Sequence, residues 1–450
     1  RAGAPSGCPC LVKRAMKTIH FLSLCASTAL IAPTPALAQA ADGVGAPQTS
    51  QPLARVPDAD PVAPDAPADT LSSREHPAIT YALQVEGSIA ANPVHPANGV
   101  NFGQEFADRA NRPLLNQVLG TIARPVAGGP RVDVGFNLQG LFGTDARYSP
   151  TIGLFDRTFT GRYQFILTQA NVVVHTPVLT PGGVDFKLGL SPGLMGYEGL
   201  DPSTRPFYTL SYVTNYLLAF QTVGAIATVH VSPQLDVIAG IDAGNEVVPG
   251  RSDNNGAAAG YLGVSLSHLA GDRLTVLAMT RFGPENSRLA LPNANRAMRW
   301  WNDVTATYKI DDRTTVAGEA NYLRDDGLNA EAYGATAYVL HSINPQWSAN
   351  LRLDALRDPQ GAFVVTYGSD TAFADAIRGV PALIYTAPPT TYGAVTAGVS
   401  YRPAALNSRR VAVTVRPEIR YDRSLNGTRP YDGGTRRGQW LASADLIVGF

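Results

Sequence analysis

The chain has 450 residues, 45% hydrophobic and only 16% charged, with 43 Gly, 34 Pro and 36 acidic against 36 basic side chains. It is too apolar for a disordered chain and too rich in Gly and Pro for a helical one, and its balanced charge offers no basic footprint for nucleic acid. A mean hydropathy near zero does not separate a soluble protein from a transmembrane barrel, in which only every second residue faces lipid.

In chain order, Lys13, Arg14 and Lys17 precede an apolar run over 21–31 and the small-residue pattern Ala36-Leu37-Ala38. This reads as a secretory signal peptide over 16–40, opening at Met16 and cleaved near Ala38 or Ala40. The run is about half of the ~20 residues a spanning helix needs. Residues 1–15 are then read as lying upstream of the natural start. Cys8, Cys10 and Cys25 all precede the cleavage point, so the exported chain carries no thiol, no disulfide and no thiolate metal site. A lipid attachment at Cys25 fits poorly, because the apolar run continues past it. Cleavage removes Arg1 and the three early cations and no acid, which leaves a slightly acidic chain with Lys187 and Lys309 as its only lysines. Residues 41–76 are rich in Ala, Pro and Asp without apolar periodicity, and read as a flexible periplasmic lead-in. Their prolines forbid a coiled-coil stalk.

From 77 onward, alternation takes over. Ile79, Tyr81, Leu83 and Val85 oppose Thr80, Gln84 and Glu86, and Val132, Val134, Phe136 and Leu138 oppose Asp133, Asn137 and Gln139. The same pattern marks 184–190, 347–354 and 411–421, and these strands run to about 10–13 residues, the length of a tilted bilayer crossing rather than of a soluble strand. Seven short links, at 127–130, 180–183, 232–233, 270–272, 311–312, 344–345 and 403–408, alternate with eight long polar loops. The loops fall at 92–113, 143–162, 192–215, 246–257, 283–298, 325–331, 358–390 and 422–438. The expected fold is therefore all-β: a transmembrane antiparallel up-and-down barrel of about 16 strands over 77–450, with short periplasmic turns and long extracellular loops. The ambiguous parity of 163–176 and the position of 391–402 after the longest loop leave 14 or 18 open. A soluble β-sandwich or propeller would explain neither the signal peptide nor the loop asymmetry. The final strand places Trp440, Ala442, Ala444, Leu446, Val448 and Phe450 on one parity, resembling the terminal signal that the barrel-assembly machinery reads. Trp300, Trp301, Tyr308, Tyr322, Trp347, Tyr401, Tyr421 and Trp440 suit interfacial girdles.

The stretch Gly193-Leu194-Met195-Gly196-Tyr197-Glu198, with Asp201-Pro202, Phe207-Tyr208 and Ser211-Tyr212 after it, resembles the hallmark segment of OmpL-like outer-membrane β-barrel porins. The likeness spans about residue 79 to Phe450 and implies a channel in the outer membrane of a Gram-negative bacterium. It transfers no residue roles, and the Pro-rich lead-in departs from it.

No catalytic constellation is evident. His76, His95, His175, His230, His268 and His341 show neither metal spacing nor a recognised triad, and Ser267-His268 and His341-Ser342 place their side chains on opposite faces. No enzyme, cofactor or metal is expected. The chemistry instead rests on charges whose parity turns them toward water inside the barrel, since an arginine facing lipid at mid-depth costs about 2–4 kcal/mol. This selects Gln84, Glu86, Asn137, Glu319, Arg352, Asp354, Arg416, Glu418 and Arg420 as pore-lining candidates. Arg352 and Asp354, like Arg416, Glu418 and Arg420, could set a transverse field or simply pair with neighbours. Loops 192–215 and 358–390 are the candidates to fold inward. The functional expectation is a water-filled channel passing small hydrophilic solutes or ions. The alternatives are an adhesive or structural barrel and, further off, an outer-membrane hydrolase. Expected partners are membrane lipid, lipopolysaccharide, the barrel-assembly machinery and permeating solutes, with monomer and homotrimer both open.

Overall fold

The computed structural model describes residues 77–408 and 411–450; the upstream start, the signal peptide and the lead-in lie outside the described residues. Sixteen antiparallel strands close into one barrel. In chain order the strands begin with β1 (Thr80–Ala91), β2 (Pro113–Arg124), β3 (Asp133–Gly143), β4 (Gln164–Thr176), β5 (Val184–Pro192) and β6 (Gln221–Ser232). They continue with β7 (Leu235–Asn245), β8 (Ala259–Leu269), β9 (Leu274–Pro284), β10 (Met298–Lys309), β11 (Thr314–Asp325), β12 (Ala330–Asn344) and β13 (Trp347–Asp358). A small hairpin, β14 (Thr366–Tyr367) and β15 (Ile384–Tyr385), stands apart from the barrel, which β16 (Thr390–Tyr401), β17 (Ala412–Ser424) and β18 (Gly438–Gly449) complete. The cylinder shuts where Gln84 to Ala91 of β1 pair with Gly449 to Ala442 of β18, and beyond the strand Phe450 exchanges backbone hydrogen bonds with Leu83.

Alternation decides which face is which. On β13 Leu351 and Leu353 are exposed outward, while Arg352 and Asp354 are buried inside. The outer surface carries such residues all the way round, from Tyr81 and Leu83 through Phe186, Ile241, Leu262 and Val304 to Val395, Ile419 and Leu446. An apolar girdle of this extent has no counterpart on a soluble monomer and matches the band a barrel shows to lipid. Aromatic pairs mark both rims, with Trp347 and Tyr401 stacked at 4.2 Å at the turn end and Tyr421 and Trp440 at 4.5 Å at the loop end. Trp301 departs from the expected girdle. A strand cannot send Trp300 and Trp301 the same way, and Trp301 turns inward, 3% exposed, beneath the guanidinium groups of Arg281 and Arg299. The ambiguous parity of β4 has a local cause. The register slips between Gln139 and Gly140, so Thr168 is an extra residue with no partner and the inward parity changes from Ile166 to Asn171.

Candidate functional site: the segment folded into the lumen

Residues 193–220, between β5 and β6, fold into the barrel. Their neck is pinched, since Gly193 N–H donates to Phe220 O at 2.6 Å and a Cβ at Gly193 would meet Ala219 O at 1.8 Å. Only glycine permits that approach. Beyond the neck, Met195, Leu217 and Leu218 pack with helix α1 (Tyr212–Tyr216), through Tyr212 and Val213, against inward side chains of the wall. These are Ile226, Ile238, Tyr261, Met279, Trp301, Leu323 and Leu356, so the barrel holds a hydrophobic core inside itself.

Polar contacts fasten the rest of the segment to the wall. Gly196 N–H donates to Asp303 on β10 at 3.0 Å, and Tyr197 N–H donates to Glu319 on β11 at 3.1 Å. Glu198 pairs with Arg352 at 2.6 Å, and the same guanidinium donates to Thr209 O and lies 3.3 Å from Asp354. Asp354 accepts from Tyr212 N–H at 3.3 Å. Gln84 donates to Asp201 at 3.0 Å, and Glu86 pairs with Arg205 at 3.2 Å. Arg416, paired with Asp445, donates to Pro202 O and Arg205 O. Glu418 accepts from Tyr208 N–H, Thr209 N–H and the Thr209 hydroxyl, the last at 2.5 Å. Arg420 donates to Leu210 O at 3.0 Å, pairs with Asp422 at 2.7 Å and lies over the Tyr212 ring.

Eight of the nine residues selected by parity therefore touch this one segment, and the ninth, Asn137, bonds Asn171 on β4 at 3.0 Å. Gln84 and Asn137 keep partial exposure, while the other seven are buried. A charge taken out of water costs several kcal/mol unless a partner of good geometry meets it. Such partners, drawn from neighbouring strands and from the segment, meet the charges on β1, β13 and β17, whereas Glu319 on β11 forms no ion pair among the described residues and accepts Tyr197 N–H. Burial is the largest influence on Arg205 and works against its charge, but Glu86 together with Asp145 and Asp445 outweighs it and holds the guanidinium pKa above its ordinary value.

Parity did not single out Glu198, Arg205, Asp303 or Asp445. Asp445 and Asp303 lie on the inward parity of their strands and could have been found that way; Glu198 and Arg205 sit in a loop with no period to mark them. The loop end also carries a network that no pattern shows. Asp108 pairs with Arg147 and Arg109, each at 3.0 Å, and Asp370 lies within 4 Å of Arg109, Arg147 and Arg162. The 359–389 loop, the other candidate to fold inward, places Phe373 of helix α2 (Ala372–Arg378) and Tyr367 of β14 against Tyr148 of the β3–β4 loop. Glu105, in the β1–β2 loop, is 2% exposed. Burial, with Asp108 adding to it, pushes its carboxyl well above the ordinary range.

A family model described as putative beta-barrel porin-2, OmpL-like, matches residues 78–450. No curated protein matches the chain. Among solved structures, the outer membrane channel DcaP of Acinetobacter baumannii is similar at 12% identity and a TM-score of 0.51, over 84% of this chain and 99% of that one. OmpF of Salmonella typhi, solved with daunomycin, is similar at 9% identity and 0.49, over 83% and 97%. An anion-selective porin from Comamonas acidovorans is similar at 11% and 0.47, over 83% and 98%. At 12% identity the likeness to DcaP concerns the fold.

Proposed function

The chain belongs to the OmpL-like family of putative β-barrel porins, porin-2, and from that premise we propose that it passes small hydrophilic solutes or ions by diffusion, with residues 193–220 as the constriction. The observation that carries this reading is the segment itself, fastened by buried charges on β1, β10, β11, β13, β17 and β18 while some polar inward residues keep partial exposure. Thr121, Asn137, Gln139 and Gln169 on β2 to β4 are of that second kind. A barrel of 16 strands is wide enough to leave an aqueous passage beside a folded-in segment. In this reading Glu86, Glu319, Arg352, Asp354, Arg416, Glu418 and Arg420 are anchors that set the width of the passage, and Gln84 and Asn137 line it. Export through the inner membrane with cleavage near Ala38 or Ala40, and insertion guided by the strand ending at Phe450, bring the barrel among lipid and lipopolysaccharide with its turns toward the periplasm.

The test is single-channel recording of the refolded barrel in a planar bilayer, with the reversal potential taken under a salt gradient. Stepwise ohmic openings are expected. The apolar core inside the lumen favours a second reading, a non-channel barrel acting in adhesion or as structure. A folded, inserted and silent barrel would overturn the first reading and move the non-channel one forward.

A further inference from the structure

Four loops meet at the loop end around a cleft of about 680 Å³. The cleft is built rather than incidental. Ile152 and the 246–248 stretch exchange backbone hydrogen bonds at 2.7 and 3.1 Å, Ser287 donates to Arg378 O at 2.6 Å, and Asn254 donates to Ile377 O at 3.0 Å. At Gly153, φ is +98° and a Cβ would meet Ser252 Cβ at 2.3 Å, so glycine is what lets the β3–β4 and β7–β8 loops touch.

The charge lining this cleft is one-sided. Arg157, Arg251 and Arg288 are exposed and, among the described residues, form no ion pair. Both lining carboxylates are turned to the protein: Asp156 takes Arg378 and Gly153 N–H, and Asp253 takes the N–H groups of Asn255 and Gly256. Apolar surface lies beside the arginines. Leu289 is 74% exposed, and Phe155, at φ +64°, is 42% exposed, with its ring centroid 5.2 Å from that of Phe165 and the two rings nearly perpendicular. A non-glycine residue at positive φ is an uncommon conformation that surrounding structure must enforce.

We propose that this cleft binds a small organic anion, with a phosphate or carboxylate head on the arginines and an apolar body against Phe155 and Leu289. Guanidinium groups suit such heads because their planar donors match the oxygen spacing. The proposal rests on the porin reading only for the side from which the solute arrives, and equilibrium binding tests it without an open channel. Lipopolysaccharide phosphates share the head-group chemistry, so the experiment separates the two sources. Isothermal titration of the refolded barrel with phenyl phosphate should show saturable one-site binding that weakens with added salt. Benzyl alcohol should not bind, and inorganic phosphate should bind more weakly. Arg157→Ser, Arg251→Ser and Arg288→Ser, at exposed positions that leave the fold intact, should each weaken phenyl phosphate by about threefold to fivefold, with the triple variant abolishing measurable binding. Undiminished binding in the triple variant, or equal binding of benzyl alcohol, would overturn the proposal. So would binding of lipopolysaccharide, lost in the triple variant, without any binding of phenyl phosphate.

Discussion

Around the segment, β13, β17, β18 and β1 present inward charges that are buried and matched, such as Arg352 between Glu198 and Asp354. On β2 to β4 the inward side chains Thr121, Asn137, Gln139 and Gln169 are uncharged and partly exposed. The difference follows from what each wall meets. A charge covered by chain must be answered within hydrogen-bond reach, whereas the amides on β2 to β4 bond one another along the wall, Asn137 to Asn171 and Gln139 with Thr121 and Thr168. Inward parity thus serves two purposes in one barrel: charges hold a segment in place, and neutral polar groups bonded to one another keep partial exposure.

Breaking the charged wall should produce the largest effect. Arg352→Ala strands Glu198 without its cation and leaves Asp354 with Arg420 alone, at 3.4 Å, which should cost about 3–5 kcal/mol in denaturant unfolding. Arg352→Lys should recover only part of it, because one ammonium cannot reach Glu198, Thr209 and Thr396 together. At the adjacent residue the cost has a different origin. Leu351→Arg places the same charge on the outer face and should cost about 2–4 kcal/mol while leaving conductance as it was. Gly193→Ala should cost about 1–3 kcal/mol and make currents noisier, as the added methyl pries open the neck.

A smaller effect lies at Glu105. Its folded pKa is raised, so the native state holds the proton longer than the unfolded chain does, and stability falls as pH rises above about 4.3 toward the raised value. Glu105→Gln should flatten that part of the stability curve and make the barrel more stable at neutral pH. The smallest effect belongs to the uncharged wall. Asn137→Asp should cost only about 1 kcal/mol in unfolding, from the lost donation to Asn171, yet move the reversal potential toward cation preference, since a carboxylate there remains partly exposed.

Much of this was legible in the sequence, because a barrel writes its faces with a period of two. Strand number, outward parity at Trp440 to Phe450 and the inward direction of all nine candidates follow from that period. Where it broke, the reading broke with it: the bulge at Thr168 blurred β4, and adjacent Trp300 and Trp301 could not both join a girdle. What the charges do was not legible. Their partners, Glu198 and Arg205, sit in a loop with no period, and only the folded path of 193–220 brings them to Arg352 and Glu86.

The most direct test of the central claim removes the segment. Deleting 196–218 joins Met195 to Ala219 across a neck whose ends already lie within one hydrogen bond, Gly193 N–H to Phe220 O. Conductance is then compared with the intact barrel in the same bilayer. Ohmic steps from both, with larger steps from the deletion, are the predicted result; equal steps, or silence from both folded proteins, would contradict it.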